Sequence, residues 1–445
     1  MAIRAFRGEL VDFADGPAGA GEPVCRHVPD GLLIVRDGRV DAAGPFAALR
    51  PGLPADLPIE DWRGHLLMPG LIDVHIHYPQ TDVIASPAAG LLDWLERHTY
   101  PHERRFADPV HAAEVAGAFL DELLRNGTTT AMVWCTVHVA SVDALMSAAR
   151  ARGMRLIAGK VLMDRNAPAG LCDTAASGEA DSRTLIRRWH GSGRLGYAVT
   201  PRFAATSTPA QLTSCARLLD ECPDIWLQSH LAENRDELRW IAELFPQARS
   251  YTDIYDGFGL LRPRTLWGHG IHLDDTDRLR LADCGAAIAF CPSSNLFLGS
   301  GLFDAAAADR CGLRYTPATD VGGGTSFSML RTLAAAHDVL RLQGQALSAP
   351  RAFWLATRGA ARVLALDDRI GSFTAGCEAD FIAIDPAATP LLARRCAQAD
   401  DLAERLFALM TLGDDRAVAA VWLAGERAGP SGSARQASST GPRPD

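Results

Sequence analysis

Two histidines separated by one residue, His75 and His77, end the apolar run GLIDVHIH. Side chains at i and i+2 of a β-strand point to the same side, so both imidazoles can bind one ion. Such a pair alone is weak evidence, because buried, hydrogen-bonded histidines are common. His230 and Asp320 end two further apolar runs. Three neutral ring nitrogens and one carboxylate suit Zn²⁺ with a water in an open position, so these four residues are the predicted metal ligands.

Two more polar residues accompany this ligand set. Glu233 follows His230 by three residues, where a strand is expected to turn into a helix. There it could take a proton from water and pass it to a substrate ring nitrogen, or it could only stabilise a helix N-terminus. His269, in WGHGIHL, is a predicted hydrogen-bond donor that orients the water, with a buried structural histidine as the alternative.

The elements that must position these residues repeat one pattern, a short apolar run followed by a stretch of helical periodicity. The eight runs span residues 70–77, 128–134, 155–163, 197–203, 225–231, 265–270, 286–291 and 313–320. Among the helical stretches, residues 110–127 stop at Asn126-Gly127, a usual C-terminal cap. Eight such units predict an α/β fold, a (β/α)8 TIM barrel over residues 68–370, with its site at the C-terminal ends of the strands. Polar residues able to do chemistry lie at the ends of five of the eight predicted strands. This spread favours a closed barrel, because a doubly wound sheet gathers its binding site at one switch point.

The two flanks of the barrel also contain short alternating apolar segments. We expect residues 1–67 and 371–428 to form together one small β-sandwich domain built from both chain ends. Residues 429–445, GPSGSARQASSTGPRPD, have no apolar residues able to form a core, so we predict a disordered tail.

Composition narrows the class of protein. The 445 residues are 48% hydrophobic and 22% charged, with 44 Lys and Arg against 53 Asp and Glu, a net charge of −9. Without a basic block, nucleic acid is not an expected partner, and no apolar run reaches the roughly 18 residues that a membrane helix needs. The ten cysteines include no C-x-x-C pair, which indicates reduced thiols and a cytoplasmic location.

The longer motifs narrow the class further. They are PGLIDVHIHYPQ, LLDWLERHTYPHERRF, NGTTTAMVW, GKVLMDRNAP, VTPRFA, QSHLAENRDEL, FCPSSNLFLGSGLF and TDVGGGTSFSML. This set, over roughly residues 60–335, resembles the guanine deaminase family of the amidohydrolase superfamily. PGLIDVHIH and SHLAEN mark the superfamily, whereas the Tyr-Pro-Gln after the histidine pair, LLDWLERHTYP, Thr-Pro-Arg-Phe and CPSSNLFLGSGLF are specific.

The resemblance implies one zinc ion per subunit, held by the four ligands already named, and a homodimer. It also implies that Gln80, Arg202 and Phe203 bind the substrate together with Glu233 and His269. Glu233 would be the proton shuttle, and His269 and Asp320 would be catalytic with it.

These substrate residues suit guanine on chemical grounds. An Arg fork matches two in-plane acceptors such as guanine O6 and N7, and adenine would leave it unpaired. Gln80 can donate and accept at another edge, and Phe203 offers an apolar face for the ring. The alternative for Arg202 is a structural salt bridge at a strand end.

We therefore predict zinc-dependent hydrolytic deamination of guanine to xanthine and ammonia, a step of purine catabolism or salvage, with guanine and water as the small-molecule partners. Water activated with help from Glu233 and Asp320 would attack C2 while Glu233 protonates the adjacent ring nitrogen. Two alternatives stay open: the same chemistry on another amino-purine, a pyrimidine or a triazine, and a scaffold protein without catalysis.

Lys160 is the only lysine among the 44 cationic residues. Some amidohydrolases bridge two metals with a carboxylated lysine at the end of the fourth strand, but Lys160 falls within the third predicted strand. We expect instead a buried ion-pair partner near the barrel core.

Overall fold

The computed structural model describes residues 3–15 and 22–429. The strands in chain order are β1 (Ile3–Ala14), β2 (Val24–Arg36), β3 (Arg39–Pro45), β4 (Ile59–Pro69), β5 (Leu71–His77), β6 (Thr128–Trp134), β7 (Arg155–Gly159), β8 (Val161–Leu162), β9 (Leu195–Pro201), β10 (Trp226–Leu231), β11 (Thr265–His269), β12 (Ala287–Phe290), β13 (Arg314–Pro317), β14 (Phe381–Ile384), β15 (Val418–Leu423) and β16 (Glu426–Ala428). The α-helices are α1 (Phe46–Leu49), α2 (Leu91–Trp94), α3 (Tyr100–Glu103), α4 (Pro109–Arg125), α5 (Val139–Ala151), α6 (Ala175–Trp189), α7 (Pro209–Glu221), α8 (Arg235–Leu244), α9 (Tyr251–Gly257), α10 (Asp275–Asp283), α11 (Pro292–Phe297), α12 (Ala305–Arg310), α13 (Met329–Leu342), α14 (Ala349–Trp354), α15 (Ala360–Val363), α16 (Pro390–Cys396) and α17 (Leu402–Leu412). Short 3₁₀ or π segments lie at Arg50–Gly52, Tyr78–Val83, Leu95–Thr99, Arg104–Ala107, Ala204–Thr206, Leu355–Gly359 and Asp415–Ala417.

Parallel strands form the barrel in the order β5-β6-β7-β9-β10-β11-β12-β13, and β8 adds a short pairing to β9. The segment that follows β13 closes the ring against β5: the amide of Asp320 donates to the carbonyl of His75 at 2.9 Å, and the amide of His77 donates to Val321 at 2.8 Å. Every residue of β5 and of β6 is buried, as expected for strands covered on both faces. The predicted barrel is confirmed.

Helix α4 illustrates the sequence features that begin, bury and end a crossover helix. The Asp108 side chain accepts from the amide of Val110 at the N-cap, and the apolar positions Val115, Phe119 and Leu123 are buried on one face. The helix ends where predicted, because Gly127 takes a φ of +77° that favours glycine.

The flanking strands form one seven-stranded sheet in the order β16-β15-β14-β4-β1-β2-β3, so both chain ends contribute to it as predicted. Its residues alternate between two cores. Ile382 and Ile384 of β14 belong to the core shared with the barrel helices. On the other face, Phe381 stacks on Trp422 with ring centroids 4.4 Å apart, and Phe6 packs edge-on against both.

Among the barrel strands that end earlier than the sequence predicts, two precede predicted site residues. Strand β9 stops at Pro201, so Arg202 and Phe203 lie just beyond it, and β13 stops at Pro317, before Asp320. Proline has no N–H to continue a ladder. The backbone of Asp320 also has a φ of +50°, which no extended strand allows.

Lys160 lies between β7 and β8, 1% exposed, and its ammonium pairs with the carboxylate of Asp173. The predicted buried ion pair is confirmed. All ten cysteines are free. In the described ranges, no helix combines the length and apolarity needed to cross a membrane. The predicted tail lies outside the described residues from residue 430 onward.

Candidate metal-dependent active site

A cavity opens at the C-terminal ends of the barrel strands. Its lining residues are His77, Gln80, Leu91, Trp94, Leu95, Arg202, Phe203, His230, Glu233, Glu237, His269, Leu298, Asp320 and Gly323. Of the nine residues predicted for the site, all but His75 line this one cavity, although the chain supplies them from five barrel strands or the segments that follow them.

The predicted metal ligands converge at the floor of the cavity. Ring nitrogens of His75, His77 and His230 lie within 4.8 Å of one another. The Nε2 atoms of His75 and His77 lie 3.3 and 3.2 Å from Oδ1 of Asp320. Cys291 also lies within reach of His75, His269 and Asp320, and burial raises the pKa of its thiol well above the usual value.

The protonation states of this group suit a cation. Burial lowers the pKa of His77 to about 3 and that of His230 well below its usual value, so both imidazoles are neutral. Burial alone would raise the pKa of Asp320, but the adjacent imidazoles of His75 and His77 outweigh it, and the pKa falls well below the usual value. The Nε2 atom of His75 is buried and makes no hydrogen bond within the described residues, an orphaned atom that a metal ion would satisfy.

Neighbouring groups fix the orientation of these rings. The carbonyl of Arg202 accepts from Nδ1 of His230 at 2.7 Å, which leaves Nε2 for a ligand bond. The indole of Trp134 donates to Nδ1 of His75 at 3.3 Å.

Three residues at the strand ends have left-handed backbone. The φ angles of Ala232, His269 and Asp320 are +51°, +70° and +50°. Non-glycine residues rarely adopt this region, and such strain clusters at functional sites because the surroundings hold it.

The predicted proton-handling pair lies beside the ligands. Oε2 of Glu233 is 3.3 Å from Nε2 of His269, and Ser300 donates to Oε1 of Glu233 at 3.3 Å. Burial, reinforced by the charge of Asp320, raises the pKa of Glu233 well above its usual value, so this carboxyl can hold a proton. On the far side of the ring, Nδ1 of His269 donates to the amide oxygen of Asn295 at 2.9 Å.

A second buried carboxyl, Glu237, lies behind Glu233. Its Oε2 accepts from the amides of Glu233 and Asn234 at 2.9 and 3.2 Å, a capping box that starts α8. Burial raises the pKa of Glu237 to about 7, and the neighbouring carboxyl of Glu233 adds to the shift.

The predicted substrate residues form a polar group on one side of the cavity. Both carboxylate oxygens of Glu103 accept from Nη1 of Arg202, at 2.9 and 2.8 Å, and Oε1 of Glu103 also accepts from Nε2 of Gln80 at 3.3 Å. Oε1 of Gln80 accepts from the amide of Gly322 at 3.1 Å. The guanidinium of Arg202 lies over the ring of Tyr100, 5.5 Å from its centroid. Arg202 therefore makes a structural ion pair and also lines the cavity.

Apolar walls complete the cavity. Phe203, 4% exposed, packs against Trp240, and the helical stretch from Leu91 to Glu103 contributes Trp94 and Leu95. A cavity with aromatic walls and a polar edge is suited to a planar heterocycle.

Sequence reasoning missed Glu103, Glu237, Asn295 and Ser300, although each lies in a motif quoted above. The signal available was a charged or polar residue within one of these motifs. It could not show which side chain each would meet.

Comparison with known proteins agrees with the motifs. The amidohydrolase family profile matches residues 66–428. The chain is 46% identical to the guanine deaminase of Escherichia coli over 419 residues, 94% of this chain and 95% of that protein. It superimposes on the solved Escherichia coli guanine deaminase with a TM-score of 0.93 at 45% identity, covering 96% and 100% of the two chains. A guanine deaminase from Clostridium acetobutylicum, solved with guanine bound in the active site, gives 0.85 at 26% identity, covering 96% and 100%. This chain belongs to the amidohydrolase family.

Proposed function

We propose that this enzyme hydrolyses guanine to xanthine and ammonia. The observation that carries the proposal is one cavity in which Arg202 and Gln80 face a buried group of three histidines and an aspartate. The identity to characterised guanine deaminases named above, and the guanine bound in one of them, support the same substrate.

Recognition of guanine rests on Arg202, Gln80 and Phe203. The Nε and Nη2 atoms of Arg202 make no hydrogen bond to any described residue, so they are available for the paired acceptors of guanine. Adenine has an amino group at that edge and would leave buried donors unpaired, which costs roughly 1–3 kcal/mol or more. Phe203 and Trp94 supply faces on which the ring can pack.

The cofactor of this proposal is one Zn²⁺ per chain, held by His75, His77, His230 and Asp320. Neutral imidazoles, an ionised aspartate and the orphaned Nε2 of His75 fit such an ion. When bound, the ion supplies Lewis-acid activation of water near neutral pH.

The proton transfers belong to Glu233, Asp320 and His269. Glu233 carries a proton in its buried environment and delivers it to the ring nitrogen next to C2 as water adds there. The ionised Asp320 accepts a proton from the water and passes it to the amino group. As the C2–N bond breaks and ammonia leaves, the hydroxyl at C2 returns a proton to Glu233 and becomes the carbonyl of xanthine. His269, whose Nε2 lies 3.3 Å from Glu233 and 3.8 Å from Asp320, hydrogen-bonds the water and orients it.

The domain division and the biological setting belong to the same proposal. Residues 68–370 would be the catalytic barrel, and residues 1–67 with 371–428 the small β domain, supported by the two separate sheets. We also propose a homodimer and a cytoplasmic location, with free thiols at all ten cysteines in support of the latter.

The test is a base-selectivity assay on the purified, metal-assayed protein. Guanine, adenine, cytosine and 8-oxoguanine are supplied separately, and ammonia release is followed beside the ultraviolet change of the base. We expect rapid release from guanine alone. Release of ammonia from another base would support the deamination chemistry but contradict guanine as the substrate. No release from any base, with zinc bound, would favour a scaffold protein without catalysis.

A further inference from the structure

We propose that Glu103 is a positioning residue that sets both the geometry and the net charge of the substrate-recognition edge, so that the cavity favours a neutral base and releases an anionic product. The inference rests on the proposed function and adds a residue to it.

The geometry places Glu103 at the centre of the recognition edge. Its side chain is 1% exposed, it ends α3, and it contacts both polar substrate residues. Nη1 of Arg202 donates to both of its oxygens, and Nε2 of Gln80 donates to one of them. No other described carboxylate lies within ion-pair distance of Arg202.

This arrangement orients two side chains at once. Because Glu103 takes only Nη1 of Arg202, the remaining guanidinium donors stay free for the substrate. Because an ionised carboxylate can only accept, the amide of Gln80 must turn Nε2 toward Glu103 and Oε1 toward the amide of Gly322. One Nε2 hydrogen and one Oε1 lone pair of Gln80 then remain for the base.

The same contact sets the local charge. Arg202 is 2% exposed and always ionised, and a buried cation without a partner would attract any anion able to enter. Glu103 makes the pair neutral overall. Guanine is neutral at neutral pH, whereas xanthine loses a proton more readily, so the carboxylate behind Arg202 weakens binding of the ionised product.

The experiment compares Glu103→Gln and Glu103→Asp with wild type. We measure kcat and KM for guanine, inhibition by xanthine across pH, and binding of urate, a second purine anion, by calorimetry. For Glu103→Gln we expect kcat/KM to fall about 100-fold. We expect xanthine and urate to bind roughly tenfold more tightly, most strongly at the pH where xanthine is ionised.

Glu103→Asp separates the two effects. It retains the charge but withdraws the carboxylate by one methylene, so kcat/KM for guanine should fall about tenfold while xanthine inhibition stays within about twofold of wild type. If Glu103→Gln does not fold, this variant decides: a selective loss of kcat/KM supports the proposal, and wild-type values for both quantities overturn it.

The matched control is Glu378→Gln. Glu378 is a buried carboxylate that pairs with Arg155 and Arg194 at the start of barrel strands, at the end opposite the cavity. This variant should lose thermal stability without changing guanine turnover or xanthine inhibition. If Glu103→Gln binds the purine anions no more tightly than wild type and keeps its kcat/KM, Glu103 has no such role. A wild type inactive on guanine would instead contradict the proposed function, while urate binding would still test Glu103.

Discussion

Asn295 fixes the imidazole of His269 through one hydrogen bond, from Nδ1 to the amide oxygen at 2.9 Å. Because that oxygen only accepts, Nδ1 carries the proton and Nε2 faces Glu233. Asn295→Ala frees the ring to rotate, so kcat should fall about 10- to 100-fold while KM changes little, since Asn295 does not line the cavity. Steady-state kinetics at several pH values, with zinc content measured in parallel, checks this prediction.

The control for that variant is Ser294→Ala. The Ser294 hydroxyl is buried beside Asn295 and makes no hydrogen bond within the described residues. Its removal should leave kcat within about twofold of wild type. Equal kcat in Asn295→Ala and Ser294→Ala would contradict the orienting role of Asn295.

For individual residues of the site, the sequence predicts which side chains lie at the strand ends, but it does not predict which side chains they contact. The candidate ligands His75, His77, His230 and Asp320 do meet, because each lies near or just beyond the C-terminal end of a parallel barrel strand and such ends share one rim. The partner of Arg202 could not be predicted. Glu103 lies 99 residues away on an irregular helical stretch whose path no local pattern determines.

Among the elements, helix α8 has a buried carboxyl at its N-terminus, Glu237, that makes the stability of the fold depend on pH. Glu237 has a pKa of about 7 in the folded chain against a usual 4.5, so between these values the folded state binds more protons than the unfolded state. Stability must then fall as pH rises through this window, by roughly 3 kcal/mol at most from this group. In Glu237→Gln this contribution disappears, and urea unfolding across pH should show a flatter profile than wild type.

Glu243→Gln provides the comparison, because Glu243 lies on the same helix and is exposed. It should reproduce the wild-type pH profile. A Glu237→Gln profile parallel to that of wild type would show that Glu237 does not titrate in this range.

Strand β7 depends on a residue without a side chain. A Cβ at Gly159 would lie 1.7 Å from the carbonyl oxygen of Ala198, a backbone atom of β9 that cannot move aside cheaply. Gly159→Ala should therefore separate two barrel strands and destabilise the fold by about 1–3 kcal/mol or more. Thermal unfolding measures the loss, with Gly52→Ala as the control, since a Cβ at Gly52 meets nothing within 4 Å. Equal stability of both variants would contradict this packing.

Strand positions were more predictable than strand ends. The run predicted at 128–134 agrees with β6, because continuous apolar sequence determines a buried parallel strand. The run predicted at 313–320 yields only Arg314–Pro317, because the chain leaves the ladder at Pro317 to carry Asp320 over the cavity. The early end of β13 positions the carboxylate of Asp320, and the apolar pattern of the sequence does not predict it.

For the whole molecule, the proposed zinc ion should stabilise the fold as well as support turnover. Removing it leaves a buried carboxylate among three imidazoles without their common partner. A ligand that binds only the folded state adds about 2.7 kcal/mol at a free concentration 100 times its Kd. Chelation should lower Tm and abolish ammonia release, and one equivalent of Zn²⁺ should restore both.

Magnesium is the matched control for metal restoration, because it prefers oxygen ligands and should restore neither Tm nor turnover. Full turnover in protein shown by elemental analysis to lack metal would contradict a metal-dependent site.

The seven-stranded sheet has a consequence for how the protein is made. Strand β4 pairs on one side with β1, near the start of the chain, and on the other with β14, at Phe381–Ile384. A ribosome delivers β14 only after the whole barrel has been synthesised. Until then β4 has an open edge with Leu66, Leu67 and Met68, which are buried in the finished sheet. The nascent chain is thus most prone to aggregation late in translation, and a stop codon shortly before residue 381 would release a nearly complete barrel with that edge uncovered.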